Sequence, residues 1–291
     1  MIIAEVNERS SRSDTLLWEG RANPISWIVN HFPDNLSLHL KACLPYSSTM
    51  QSDFERDGFV VIDNAFSGRE LETISDEVNR VVDGKAAYLP EKEIVYEPDT
   101  HPPRVRNAFG LHNYSDTFLQ AANNPALIGV LQSILVKPLR LYASQVFAKP
   151  ARVGTVVPSH QDMPYWPFEP YELISAWIAL DDSTIENGCV RHVVGSHKLG
   201  LLPHAPSGVV GNSLAVIDDP QWKTLPERPV EVRRGSCILH HCLTVHRSEP
   251  NRSPNPRRGL IYVYMSDRVR VTDPTRLRNP STNFPVVGNA E

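Results

Sequence analysis

Apolar positions keep a helical rhythm in the first half of the chain and a strand rhythm in the second. Leu71, Ile74, Val78 and Val81 recur at three- and four-residue spacing, which predicts an amphipathic helix. Ser67-Gly68-Arg69-Glu70 precedes them as a capping box, with the serine set to accept from the N3 amide and the glutamate to reach back. Gly84 is placed to stop the helix. Asn124-Pro125, a cap followed by an N1 proline, opens a second helix whose buried face is Leu127, Val130, Leu131 and Ile134. Between residues 54 and 63, Gly58-Phe59-Val60-Val61-Ile62 reads as a short strand entering the domain. From residue 139 onward, short β-rich runs take over: Leu141–Lys149, Leu173–Leu180, Val230–Val232, Cys237–His240 and Leu260–Met265. Clusters of Gly, Pro, Asn and Asp separate them. Helices followed by many short strands predict a mainly β fold, with flanking α-helices packed on a double-sheet core.

The first 50 residues carry scattered apolar positions (Leu16, Leu17, Trp18, Trp27, Ile28, Val29) and read as an extension packing on the core or on a partner chain. Residues 51–270 form the expected domain, and 271–291 a C-terminal tail. One expectation for the extension is that it covers a pocket mouth of a second copy, in a homodimer.

Composition narrows the partners. A formal net charge of -4, with acids and bases intermixed, argues against nucleic acid or an anionic membrane. No apolar run approaches the roughly 20 residues that span a bilayer, and the polar N-terminus is unlike a secretory signal. The 25 prolines fall mostly in connecting stretches and predict rigid turns. Cys43, Cys189, Cys237 and Cys242 have no CxxC spacing, so reduced thiols in a cytoplasmic protein are expected.

The chemistry concentrates in His160-Gln161-Asp162 and in a later histidine-rich stretch. Residues i and i+2 of a strand point to one side, so His160 and Asp162 can reach one metal. Two imidazoles and a carboxylate are the donor set of non-haem Fe(II) sites with open positions. Of eleven histidines, His240, His241 and His246 compete as third ligand. His246 is favoured because a loop follows it that can bring an arginine, Arg257 or Arg258, back along a neighbouring strand. A guanidinium fork suits a carboxylate held in two-point contact, and Ser248 is set to donate to the same group. Met163-Pro164-Tyr165-Trp166-Pro167-Phe168 is an apolar patch suited to keeping water from a reactive centre.

In these features residues 50–270 resemble the phytanoyl-CoA dioxygenase family of Fe(II)/2-oxoglutarate oxygenases. The matching features are Gln145 to Lys149-Pro150, His160-Gln161-Asp162 with Tyr165-Trp166-Pro167, and Ala176-Trp177 through Asp181-Asp182. Glu186-Asn187-Gly188-Cys189, Gly195-Ser196-His197-Lys198, and His246-x-Ser248 with Arg257 complete the pattern. The resemblance implies a double-stranded β-helix (jelly-roll, cupin-like) core. It implies His160, Asp162 and His246 as iron ligands, Arg257 and Ser248 as partners of the distal carboxylate of 2-oxoglutarate, and Gln145, Lys149 and Trp177 around the cosubstrate. His197 is expected in a structural role. No catalytic side chain is expected beyond the metal ligands. Fe(II), 2-oxoglutarate and O2 are the expected cofactors, and succinate and CO2 the coproducts.

The expected reaction is hydroxylation of a small organic molecule, as in secondary metabolism. Desaturation or epoxidation at the same site stays open, whereas Asp162 argues against halogenation. Tyr165, Trp166 and Phe168 are candidates for an apolar substrate wall, and Arg104 and Arg106 for meeting an anionic group. A non-catalytic jelly-roll ligand-binding protein and a zinc enzyme on a cupin-like barrel are the alternatives.

Overall fold

The computed structural model describes residues 48–278 and 284–288. Most of the expected 1–50 extension therefore lies outside the described residues, as does Cys43. Helix α1, Ser48–Asp57, leads into strand β1, Phe59–Ile62. Phe54 and its neighbours up to Asp57 are thus helical rather than extended. The break falls at Gly58, whose φ of +84° favours glycine and whose absent Cβ makes room for His197 Nδ1 and Thr244 Oγ1.

Helix α2 spans Gly68–Val82 and buries Leu71, Ile74, Val78 and Val81, the face expected from their spacing. The capping box does not form: Ser67 makes no side-chain cap bond. Glu70 instead accepts from Asn124 Nδ2 at 3.1 and 3.0 Å, because Asn124 itself caps the later helix through Leu127 N. A carboxylate that joins two helix starts cannot also close its own first turn. Short helix α3, Asp116–Ala121, precedes α4, Pro125–Ile134.

The strands follow as β2 (Ile94–Tyr96), β3 (Val105–Phe109), β4 (Leu139–Lys149), β5 (Val157–His160), β6 (Phe168–Glu169) and β7 (Leu173–Ala179). After them come β8 (Val190–Val193), β9 (His204–Val209), β10 (Asn212–Val216), β11 (Glu227–Pro229) and β12 (Cys237–His241). The last are β13 (His246–Ser248), β14 (Arg257–Ser266), β15 (Arg270–Val271) and β16 (Val286–Val287). Eight of them form one sheet in the order β1-β12-β7-β14-β4-β3-β2, with β16 also on β4; β11-β8-β13-β5 form the other large sheet. All pairings are antiparallel among the described residues. The two sheets give the expected jelly-roll core.

Strand alternation decides what each face covers. Ala176, Ile178, Leu260, Tyr262 and Tyr264 pack with the helices in the main apolar core, while Trp177, Ala179 and Ile238 pack with Val190 of the second sheet. The hydroxyls of buried Tyr262 and Tyr264 donate to Phe118 O and Ala122 O at 2.7 and 2.8 Å, tying β14 to the helical layer.

Two further expectations are corrected. Val230–Val232 forms only an isolated bridge to Ser183, since the neighbouring β8 pairs with Glu227–Pro229 instead. The C-terminal segment is not merely a tail: Val286 and Val287 pair with Arg140 and Leu139 and extend the large sheet.

Candidate metal centre and cosubstrate pocket

His160 ends β5 and His246 opens β13, and the two are direct cross-strand partners. Asp162 lies beyond the strand, in right-handed helical conformation at the start of a tight turn. Its alignment with His160 therefore does not come from strand alternation. The backbone N–H groups of Asp162 and Met163 both donate to Cys242 O at 3.0 Å, and this pins the turn. Gln161, fully buried, donates to Gly200 O and Leu243 O and accepts from Leu202 N, which locks the residue between the two candidate ligands.

The donor atoms of His160, Asp162 and His246 all lie within 4.8 Å of one another. Asp162 Oδ1 is 3.6 Å from His160 Nε2 and 3.7 Å from His246 Nε2. Each imidazole donates Nδ1–H to a backbone carbonyl, His160 to Pro158 O at 2.8 Å and His246 to Thr244 O at 3.0 Å. A carbonyl only accepts, so both Nε2 lone pairs are left free. Burial pushes the pKa of both rings below the ordinary 6.5, which keeps them neutral and ready to ligate.

The other carboxylate oxygen is held from two sides. Ser175 Oγ donates to Asp162 Oδ2 at 2.6 Å, and His240 Nε2 donates to the same oxygen at 3.0 Å. Ser175 and His240 are themselves cross-strand partners on β7 and β12. Burial raises the Asp162 pKa, but the imidazoles and the His240 bond outweigh it and hold the carboxyl well below its usual range. His240 is thus a support for the carboxylate, and the third ligand position falls to His246. His241 turns away and accepts from Leu243 N at 3.1 Å. His197 lies against Gly58 and the His241 ring, outside the donor cluster.

Beyond the triad, a narrow pocket of about 70 Å³ is lined by Gln145, Trp177, Ser248 and Arg257. The Arg257 side chain is buried, and its Nε and Nη1 have no hydrogen-bond partner among the described residues. Its guanidinium lies 5.1 Å from the Trp177 ring, whose indole passes so close to Gly259 that a Cβ there would fall 2.2 Å from Nε1. Burial pushes the Arg257 pKa down to about 10, so it remains a cation at neutral pH. Buried cations are ordinarily paired. An unpaired one facing a pocket that also reaches two imidazoles and a carboxylate fits an anionic ligand spanning from metal to guanidinium.

The remaining site candidates separate. Lys149 does not line this pocket; Nζ donates to Glu249 O at 2.8 Å and to Thr155 O, bracing the loop behind Arg257. Tyr165 and Trp166 line a second cavity of about 600 Å³ that meets the first at His160 and Asp162. Phe168 is buried behind its wall, edge-on to Tyr142 at 4.6 Å. Arg104 is exposed away from both cavities. Arg106 is fully buried and paired with Glu97 at 2.9 Å, so neither arginine meets a substrate.

The family model described as phytanoyl-CoA dioxygenase matches residues 54–259, which contain the triad and Arg257. The chain belongs to the phytanoyl-CoA dioxygenase family. A phytanoyl-CoA dioxygenase domain-containing protein 1 homolog of Caenorhabditis briggsae is 28% identical over 262 residues, covering 75% of this chain and 90% of that protein. An ectoine dioxygenase of Bordetella bronchiseptica is 27% identical over 287 residues, covering 94% and 88%. Among solved structures, the epimerase SnoN in complex with Fe3+, alpha ketoglutarate and nogalamycin RO superposes with a TM-score of 0.67 at 23% identity, covering 82% of this chain and 91% of that one. That likeness supports the jelly-roll fold of this family member. The dioxygenase class expected from its motifs therefore holds. Among the described residues, no helix is long and apolar enough to cross a membrane.

Proposed function

We propose that this chain is an Fe(II)/2-oxoglutarate-dependent oxygenase that hydroxylates a small organic molecule. One observation carries the reading: a two-imidazole, one-carboxylate donor set opens onto a pocket closed by buried Arg257, whose Nε and Nη1 have no partner among the described residues. His160, Asp162 and His246 would hold the iron, and Arg257 with Ser248 would hold the far carboxylate of 2-oxoglutarate. Bound there, Fe(II) with 2-oxoglutarate and O2 supplies an oxidant for a C–H bond, releasing succinate and CO2.

The chain's own residues do the positioning. Pro158 O and Thr244 O fix the imidazole tautomers, and Ser175 and His240 occupy the second oxygen of Asp162. With that oxygen occupied, Asp162 would offer a metal its Oδ1, beside the free Nε2 atoms of His160 and His246. Trp177 and Ile261 give the pocket apolar walls that exclude water. The larger cavity, opening on the same donor atoms, is where an organic substrate would present its C–H bond.

Anaerobic addition of Fe(II) and 2-oxoglutarate should give a weak visible charge-transfer band, absent from Asp162→Ala, and substrate addition in air should release succinate. No band and no saturable 2-oxoglutarate binding would end this reading. We also propose that the chain forms a homodimer in the cytoplasm, tested by sedimentation of the full chain and by cell fractionation.

A further inference from the structure

The larger cavity has an uneven charge pattern. Lys92, Arg276 and Arg278 stand among its lining residues, against the acids Glu93 and Asp162. Asp162 belongs to the metal centre. Glu93 is taken by Arg278, whose Nε donates to it at 2.9 Å while the guanidinium lies 4.1 Å from the Phe109 ring. Among the described residues Arg276 donates only to Pro164 O, at 2.8 Å. Neither Arg276 nor Lys92 has a carboxylate partner among the described residues. Asp273 is near enough to feel the Arg276 charge but uses its Oδ1 to cap Thr275, so two cations without an ion pair remain at the rim.

Tyr142, Trp166 and Phe284 give one side of the cavity an aromatic face, while Asn107, Asn113, Gln145 and Asn212 make other parts of the lining polar. Tyr142 meets Trp166 and Phe284 edge-on, each at 5.7 Å between ring centroids. Arg276 and Arg278 both lie close enough to Tyr142 to offset part of the pKa rise that burial imposes on its phenol. The lining also holds a histidine. Ser144 Oγ accepts the backbone N–H of His112 at 2.8 Å and stands 2.7 Å from its Nδ1. The direction of that second contact follows the imidazole tautomer, and the ring offers the cavity its remaining nitrogen. Burial holds this imidazole neutral, with its pKa down to about 4.

An aromatic face and a basic rim point to a ligand with a ring and a negative charge. We propose that the substrate is an organic acid whose carboxylate is held by Arg276 and Lys92 and whose apolar, ring-bearing body lies on Tyr142, Trp166 and Phe284. The carbon to be oxidised is then the end turned toward His160 and Asp162. The cavity of about 600 Å³ is the size of an ordinary small-molecule site. This substrate class rests on the oxygenase reading above.

The test uses the full chain with Fe(II) under anaerobic conditions and saturating N-oxalylglycine, so that the Arg257 pocket is filled. Anthracene-2-carboxylate and its primary amide, which share one body and differ in charge, are titrated by quenching of tryptophan fluorescence. The acid should bind about tenfold tighter than the amide, the value of one charge-assisted contact of about 1.4 kcal/mol. Arg276→Gln with Lys92→Gln should erase that difference and leave amide binding unchanged. Equal binding of acid and amide, no binding of either, or a preference that survives the double substitution would overturn the proposal. N-oxalylglycine binding is measured separately in each protein. If it fails while acid preference persists, the cosubstrate reading falls and the rim assignment stands; the reverse result sinks the rim alone.

Discussion

Replacing Arg257 with methionine should trade cosubstrate affinity for stability. In the folded chain the guanidinium is buried, and its pKa falls from 12.5 to about 10. At about 1.4 kcal/mol per unit, that burial costs roughly 3 kcal/mol at neutral pH, where the group stays charged in both folded and unfolded chains. The neighbouring Trp177 ring returns part of it, on the order of 1 kcal/mol. Arg257→Met keeps most of the volume and removes the charge, so the metal-free protein should gain about 1–2 kcal/mol in urea denaturation. The same change deletes a two-point contact to a carboxylate in a closed pocket, worth roughly 2–5 kcal/mol. Calorimetric titration with 2-oxoglutarate should therefore show binding weakened by about two orders of magnitude. Affinity within threefold of the parent, or a variant much less stable than it, would refute the assignment of Arg257 as an anion anchor awaiting its partner.

Ser175→Ala removes one of the two bonds to the second oxygen of Asp162 and should weaken Co2+ binding about tenfold, read from the visible absorption of the bound ion. Glu97→Ala leaves Arg106 buried without its carboxylate and should cost roughly 3–5 kcal/mol in urea denaturation, with 2-oxoglutarate affinity of the folded fraction little changed. Acid should destabilise the metal-free protein early. Burial pushes His112 and His241 down to about 4 and lowers His160, His192 and His246 as well. The unfolded chain takes up protons near the ordinary 6.5 that the folded chain refuses, so stability is full above about pH 6.5 and falls as pH drops toward 4. A urea midpoint that stays flat across that window would contradict this.

What could be read from the sequence and what could not divides along chemical lines. The grouping of His160, Asp162 and His246 is legible because a metal demands particular donor types, and few residues in the chain offer them in that order; Arg257 stands out as a basic residue following them. Ser175 and His240 carry no such mark. Their role follows from the register that sets them opposite each other across β7 and β12, which neither motif nor composition states. The same limit applies to Arg104 and Arg106 as contacts for an anionic group. Arg104 and Arg106 lie near the β3 start in sequence, yet Arg106 is consumed by Glu97, while Arg276 reaches the cavity from the far end of the chain. Local rules also lost to tertiary ones at Glu70, whose capping geometry yields to Asn124. Helix α2 and strands β4, β7, β12 and β14 were readable because periodic burial sets them, and their ends moved by only a few residues.

The facing of His160 and His246 across β5 and β13 makes any ion held by both a staple between neighbouring strands. Loading the centre and knitting that sheet are then one thermodynamic event. Deuterium uptake by the amides of these strands should slow in proportion to metal occupancy, so the backbone itself becomes a gauge of how much protein is charged for turnover.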